Sequence, residues 1–296
     1  MNKKQANNRS NHGTSVNNHP QRKEVEQYAN AEGEMCATIY DTECRSIPIM
    51  QKYILGQEEV YTASPEIWSF KKVSDIVNNI NLRLSNMAGG FPFEFDGHTW
   101  KDSERLYLCG EFSNNTEEHL DVQHVLLGAT SGYAAKRFGK ARFLRLVRPD
   151  FKSFRLQWML FVVWQKCKGN ADFRRLLLSI SEDAILVENT TTDTGGSAEI
   201  WGCKNPALHL TRLALENELT ERHQDMKRKE LELLINIETN KVNSIGQWKG
   251  QNNIGKILMI CRDCLTRGTE PEIDYDLLDR AEIHILGKNH ILTCST

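Results

Sequence analysis

Phe154, Trp158, Phe161 and Val162 recur at the spacing of one helical face, with Gln165 the single polar position among them. A stripe of that bulk has to be buried, so the fold is read as built around this helix, with Trp158 and Trp164 in the core. At 296 residues the chain is long enough to enclose it. Phe173, Leu176, Leu177 and Ile180 continue into a second short helix, Ala184 to Glu188 reads as a compact strand, and Ile254, Ile257, Leu258 and Cys261 open a last core helix. Leu208 to Ile237 carries one long helical pattern, and its charge run from Glu218 through Glu232 is read as a solvated face. Ile76 through Phe95 alternates as short strands do around Ala88-Gly89-Gly90. The expected class is α+β, a helix-rich single domain with a small sheet.

Residues 1–34 are rich in Asn, Gln, His and Ser and nearly empty of large apolar side chains, so a disordered tail is expected there. Residues 35–79 regain apolar positions and read as a folded N-terminal extension of unassigned role. The principal domain is placed at 80–265, with a helical insertion at about 205–245, and a C-terminal appendage at 266–296. The 37 basic and 39 acidic side chains create no global field that calls for a nucleic-acid or membrane partner, which leaves room for a nucleic-acid substrate presented locally. An apolar run of the roughly 18 residues that a membrane span needs is missing, as is a signal-peptide core. The eight scattered cysteines are therefore read as reduced thiols of a cytoplasmic protein. Cys261-Arg262-Asp263-Cys264 has a metal-like spacing, but it sits in a helical pattern with no second Cys or His pair nearby, so neither a metal nor another cofactor is expected.

Asp96-Gly97 marks a turn, and Ser103 or Asp102 is a plausible N-cap for the helix that follows, which puts Glu104 in the first turn. The helix dipole favours a carboxylate there as an anion. On spacing alone, Glu104 reads as a decoration of that turn, Trp201 as a core residue, and Lys136 and Arg148 as surface charges unless the fold brings them together, while Asp193 is equally well an ordinary loop cap. Glu188 ends a strand and is either structural or a third carboxylate, the structural reading being preferred. Four pieces nonetheless stand out in order: Leu84-Ser85-Asn86-Met87 with Phe93, Asp96-Gly97, Trp100 and Glu104; Ala135-Lys136-Arg137-Phe138-Gly139 with Arg148-Pro149-Asp150-Phe151; Leu186-Val187-Glu188 with Asp193 and Trp201-Gly202; and Gly250-Gln251-Asn252-Asn253-Ile254-Gly255 with Arg262.

In this order the pieces resemble the NADAR, or YbiA-like, family, over about Leu84 to Leu265. The resemblance implies a helix-rich α+β domain that hydrolyses N-glycosidic bonds, acting on riboflavin-pathway intermediates or on ADP-ribose attached to guanine. It makes Glu104 the acid/base or water-activating group and Asp193 the stabiliser of a developing ribosyl cation, which are the carboxylates such a reaction needs. It assigns base or ribose stacking to Trp201, beside Gly202, with Trp100 and Phe151 also against the substrate. Lys136, Arg148 and the amides from Gly250 to Gly255 would hold a phosphate, and Asn86 and Asn252 would supply orienting hydrogen bonds. The chain departs from the family pattern at Arg105 (for His), Leu108 (for Gln), Glu111 (for Lys), Phe151 (for Trp) and Lys204 (for Gly). The expected partner is a small-molecule or nucleobase-linked ribosyl substrate, a modified nucleic acid included, with no membrane. The alternatives are a degenerate module that binds ADP-ribose or a nucleotide without cleaving it, and an interaction protein working through the charged helix.

Overall fold

The computed structural model describes residues 24–29, 35–40, 48–73 and 75–289. Residues 1–46 and 47–296 are separate compact units. In the first, β1 (Glu24–Ala29) pairs antiparallel with β2 (Met35–Tyr40), from Glu24 opposite Tyr40 to Ala29 opposite Met35. Part of the tail expected to be disordered is thus a paired strand, and the remainder of that expectation lies outside the described residues.

The second unit begins with α1 (Ile49–Lys52), β3 (Glu59–Thr62), β4 (Ile67–Phe70), β5 (Ile76–Val77) and β6 (Ile80–Asn81). An irregular stretch carrying Ala88-Gly89-Gly90 leads to the hairpin of β7 (Phe93–Phe95) and β8 (His98–Trp100). Five helices follow: α2 (Ser103–Glu111), α3 (Glu117–Gly128), α4 (Gly132–Arg142), α5 (Phe151–Gly169) and α6 (Ala171–Leu178). Then come β9 (Ile185–Glu188), α7 (Ser197–Trp201), α8 (Pro206–Arg222), α9 (Arg228–Lys241) and β10 (Gln247–Gly250). The described chain ends with α10 (Asn253–Arg267), α11 (Tyr275–Arg280), β11 (His284–Ile285) and β12 (Lys288–Asn289).

Helix α5 is the centre, as its aromatic spacing predicts. Phe154, Trp158, Leu160, Val162, Val163 and Trp164 are all buried, so it is apolar on nearly every side. The Trp158 indole stacks on Phe161 at 5.3 Å and donates its N–H to the Tyr107 carbonyl (3.1 Å), which fixes α2 against α5. The C-terminal stretch contributes to the same core through Ile273, Leu278, Ile283 and Ile285.

The small sheet is assembled from short pieces. β4 runs parallel to β9, with Phe70 opposite Glu188, and β3 runs antiparallel to β10. Single bridges from Asn189 to Cys203 and from Lys204 to Lys249 join the two pairs. Strand β9 is covered on both faces, Leu186 by the main core and Val187 by a second cluster with Ile67, Cys203, Leu208 and Trp248. That is why it reads as an unbroken apolar run.

The long helix expected over 208–237 is two helices, broken at 223–227. The charge-dense run divides between them: Arg222 pairs with Glu218 within α8, and Arg228 with Glu232 within α9, all exposed. Cys109, Cys167, Cys203, Cys261 and Cys264 are free and buried, and burial pushes the Cys264 thiol up to about 11. Among the described residues no helix is long and apolar enough to cross a membrane.

Candidate active site

The cap of α2 is Asp102, whose carboxylate accepts from the Arg105 N–H (3.1 Å). Arg105 reaches back to ion-pair with Asp102 and donates to the Ala129 carbonyl, so it is spent on holding the start of α2 to the end of α3. Glu104 follows the cap. It is 5 % exposed, and its N–H donates to the Asn86 carbonyl (3.2 Å). The Ser103 hydroxyl donates to the Asn86 side-chain oxygen (3.1 Å), and the Asn86 amide faces the Met159 sulfur. Asn86 therefore locks the backbone at Glu104 in place instead of presenting its amide to a ligand.

Lys136 comes from the middle of α4 and sets its ammonium 3.8 Å from the Glu104 carboxylate. Glu104 is the main reason its pKa stands above the ordinary lysine value; Glu188, Asp193 and Glu111 add to the effect against the cost of burial. Four carboxylates from three parts of the chain thus share one cation. At Glu188, the last residue of β9, burial, with Glu104 and Asp193 adding repulsion, lifts the carboxyl to about 7 despite Lys136. The sequence reading treats Glu188 as structural, and the structure puts it among the charged groups. The available signal was its position at the carboxyl end of a parallel strand, where α/β sheets gather ligands.

Asp193 lies in the loop after β9, its N–H donating to the Thr190 carbonyl (2.9 Å). Its carboxylate is half exposed and pairs with Lys71 at 2.6 Å, and that same ammonium donates to Thr192 (2.8 Å). Trp201 closes α7 and meets the Tyr107 ring edge-on at 5.4 Å. Phe151 packs behind Tyr107 at 5.5 Å and is buried, so it supports the indole platform from below. Glu104 also acts on the Tyr107 phenol, which burial drives far above its usual pKa and keeps neutral. The aromatic group and the charged group therefore meet along α2.

Several expected ligand contacts are structural instead. Trp100 is fully buried and donates its indole N–H to the Phe95 carbonyl (3.2 Å). Arg148 is 7 % exposed; its guanidinium donates to Ser113 (3.0 Å) and to the Ala281 (2.5 Å) and Glu282 (3.3 Å) carbonyls, and it pairs with Asp150 (2.7 Å). It staples the C-terminal stretch to α2 and α5, leaving no group for a phosphate. Arg148→Ala should lower the urea-unfolding free energy by about 2–4 kcal/mol, since several buried acceptors lose their donor. Affinity for a ribosyl ligand should stay within about twofold of the wild type.

The Gly250–Gly255 segment also packs against the sheet instead of cradling an anion. The Gln251 N–H is taken by the Glu199 carbonyl (2.7 Å) and that of Asn252 by Gly202 (3.3 Å). Asn252, at φ 51°, is fully buried and brackets β9: its amide donates to the Leu186 carbonyl (2.8 Å), and its oxygen accepts the Glu188 N–H (3.1 Å). Gly255 and Gly250 allow the close approach this requires, because a Cβ would run into the Leu186 and Gly202 carbonyls respectively. Arg262 secures the other end of β9 by donating to the carbonyls of Ser181 (2.7 Å), Glu182 (2.9 Å) and Ala184 (2.8 Å). The motif fixes the strand that carries Glu188.

Of the sequence-derived site residues, the structure gathers Glu104, Lys136, Asp193 and Trp201, and adds Glu188 and Tyr107. Asn86, Phe151, Gly202, Gly250, Asn252 and Gly255 support them from behind. No curated protein matches the chain. Among solved structures it is similar to the NMR structure of the E. coli protein YbiA, at 22 % identity over 75 % of this chain and 95 % of that one, with a TM-score of 0.43. The profile of the NADAR domain matches residues 69–266, a span running from β4 into α10 that includes every residue gathered here. The chain belongs to the NADAR family.

Proposed function

We propose that this protein is an N-glycosidase that hydrolyses the C–N bond between a ribosyl group and a nucleobase-like amine, ADP-ribose on guanine included. The observation that carries the reading is the Glu104 carboxylate beside the Lys136 ammonium, whose charge Glu188 and Asp193 also favour, with Glu104 on the helix whose Tyr107 meets the Trp201 indole. Cleavage of such a bond builds positive charge on the sugar and negative charge on the departing nitrogen. Glu188, half-protonated near pH 7, donates its proton to that nitrogen. Glu104, beside the Lys136 ammonium, takes a proton from the attacking water, whose oxygen bonds to the anomeric carbon. Asp193 faces the sugar cation, and Trp201 stacks on the flat group being released. The products are the free base and a ribosyl hemiacetal. Transfer of the proton from Glu104 back to Glu188 resets the site.

Screening ribosylated nucleobases for base release by mass spectrometry tests the proposal. Release of free base together with the ribosyl product supports it. A second reading is a binding module, favoured by Leu108, which is buried core, and by Glu111, which adds negative charge around Lys136. Calorimetric binding of ADP-ribose with every ribosylated base left intact would establish the module and remove the enzyme.

The pH dependence follows from Glu188. Its folded carboxyl titrates at about 7 against 4.5 ordinarily, so the folded state binds the proton more tightly than the unfolded chain between those values. Stability therefore declines as pH rises through that window, by on the order of 1–3 kcal/mol, and Glu188→Gln should remove the decline in urea titrations. Base release should fall above about pH 7 as the donor is lost, and Glu188→Gln should abolish that limb along with about 10²–10⁴ of the rate. A wild-type rate that is flat from pH 6 to 9 would exclude Glu188 as the donor.

A further inference from the structure

Strands β4 and β9 run parallel, and their carboxyl ends finish together: Phe70 lies opposite Glu188, and the Asn189 N–H donates to the Phe70 carbonyl (2.8 Å). Lys71 is the first residue past β4, and the loop that carries Asp193 leaves the end of β9. The Asp75 carboxylate accepts the N–H groups of Lys71 (2.5 Å) and Lys72 (2.7 Å), which fixes the backbone from which the Lys71 side chain departs. The Lys71 ammonium then pairs with Asp193 (2.6 Å) and donates to the Thr192 hydroxyl (2.8 Å). The loop is tied down at its two ends. The Thr190 hydroxyl donates to the Ala198 carbonyl (2.8 Å), and the Thr191 hydroxyl accepts the Asn205 N–H (2.9 Å). Between those ends Thr192, Asp193, Thr194, Gly195 and Gly196 are exposed. Gly195 sits at φ 92°, and a methyl on it or on Gly196 would meet nothing within 4 Å. Exposure and thin packing of this kind mark a segment that opens locally.

We propose that Lys71 is a positioning residue of the candidate active site: it clasps the middle of this loop to the end of β4 and so holds the Asp193 carboxylate where the sugar cation forms. The inference rests on the glycosidase reading for what Asp193 does there; the clasp itself stands apart from turnover. Two cations then divide the carboxylates, Lys136 beside Glu104 and Lys71 on Asp193, and the charge of both reaches Glu188. The side chains of Lys71 and Asp193 are 35 % and 48 % exposed, so their pair adds little to global stability. Its effect is local, confining an aspartate that the following Gly195-Gly196 would otherwise let swing into solvent. Lys256 shows the contrast. It is fully buried and donates to the Ile54 and Gln57 carbonyls (2.8 Å each), bonds that hold the fold.

Hydrogen exchange and base-release kinetics on the full chain test the proposal. Lys71→Met keeps a side chain of similar length and removes the charge. The amides of 191–196 should then exchange at least about fivefold faster, with the unfolding midpoint unchanged. Base release should fall about tenfold in kcat with KM within about twofold, because the interaction that Asp193 supplies strengthens as the sugar becomes cationic. Lys71→Arg retains the cation and should bring exchange and rate back to within about threefold of the wild type. In an Asp193→Asn background, Lys71→Met should change the rate by less than about twofold, since both substitutions act through one carboxylate. Exchange that Lys71→Met leaves unmoved overturns the proposal. So does a rate loss that adds in full to that of Asp193→Asn, which would make Lys71 a contact to the substrate. Faster exchange in Lys71→Met, with no base release by the wild type from any ribosylated base, keeps the clasp and removes the glycosidase; base release with exchange unmoved does the reverse.

Discussion

Glu104→Gln should reduce base release by about 10²–10⁴-fold while leaving the fold and ligand affinity nearly intact. The amide matches the carboxylate in size, so the 5 % of Glu104 that reaches solvent stays the same shape, but it cannot accept a proton from water. Helix α2 keeps its start, because the cap is Asp102 and the latch is the Asn86 backbone. The cost in stability is confined to the anion at the helix N-terminus and the ion pair with Lys136, about 1 kcal/mol together. Single-turnover base release, calorimetric affinity and the unfolding midpoint, measured on the same preparation, separate the two effects. Turnover equal to the wild type would take Glu104 out of the mechanism, and loss of affinity in step with rate would make it a binding residue.

The parts of this molecule that rest on local periodicity were legible in the sequence. Helix α5 follows from its aromatic spacing, β9 from its short apolar run, and the start of α2 from Asp102 and Ser103. The break between α8 and α9 was not, because no Gly or Pro punctuates 223–227 and the flanking i,i+4 charge pairs suit one helix as well as two. For the site, the family resemblance, and not residue type or spacing, named Glu104, Lys136, Asp193 and Trp201 together. It misplaced Arg148, whose carbonyl partners lie more than 130 positions away, and Trp100, which is buried and donates to Phe95 within its own hairpin. The amides from Gly250 to Gly255 were assigned to a phosphate at a helix start and Asn252 to an orienting hydrogen bond on the substrate, whereas here the same residues let α10 press on a strand. Glu188 was weighed as a third carboxylate and set down as structural for a related reason. Its altered proton affinity comes from burial and from Glu104, Asp193 and Lys136, all supplied by other elements.

Gly202→Ala should be strongly damaging. The φ of Gly202 is −132°, which any residue adopts, so the demand is for space and not for backbone freedom. A Cβ there would overlap the Glu188 carbonyl oxygen and lie 2.6 Å from Thr190 Cγ2. The oxygen cannot move aside cheaply, because it accepts the Cys203 N–H (2.8 Å) in the bridge that ties β9 to the rest of the sheet. Overpacking of this kind costs about 1–3 kcal/mol and the strained hydrogen bond about 1 more. For a unit of this size that lowers the Tm by about 5–15 °C. The same displacement separates Trp201 from the strand that carries Glu188, so ribosyl ligand affinity should fall by at least about tenfold. Gly196→Ala supplies the comparison: in the same segment, its added methyl meets nothing within 4 Å, and both quantities should match the wild type. If Gly202→Ala melts with the wild type while Gly196→Ala does not, the contact between the Trp201–Gly202 turn and β9 is not what holds the site together.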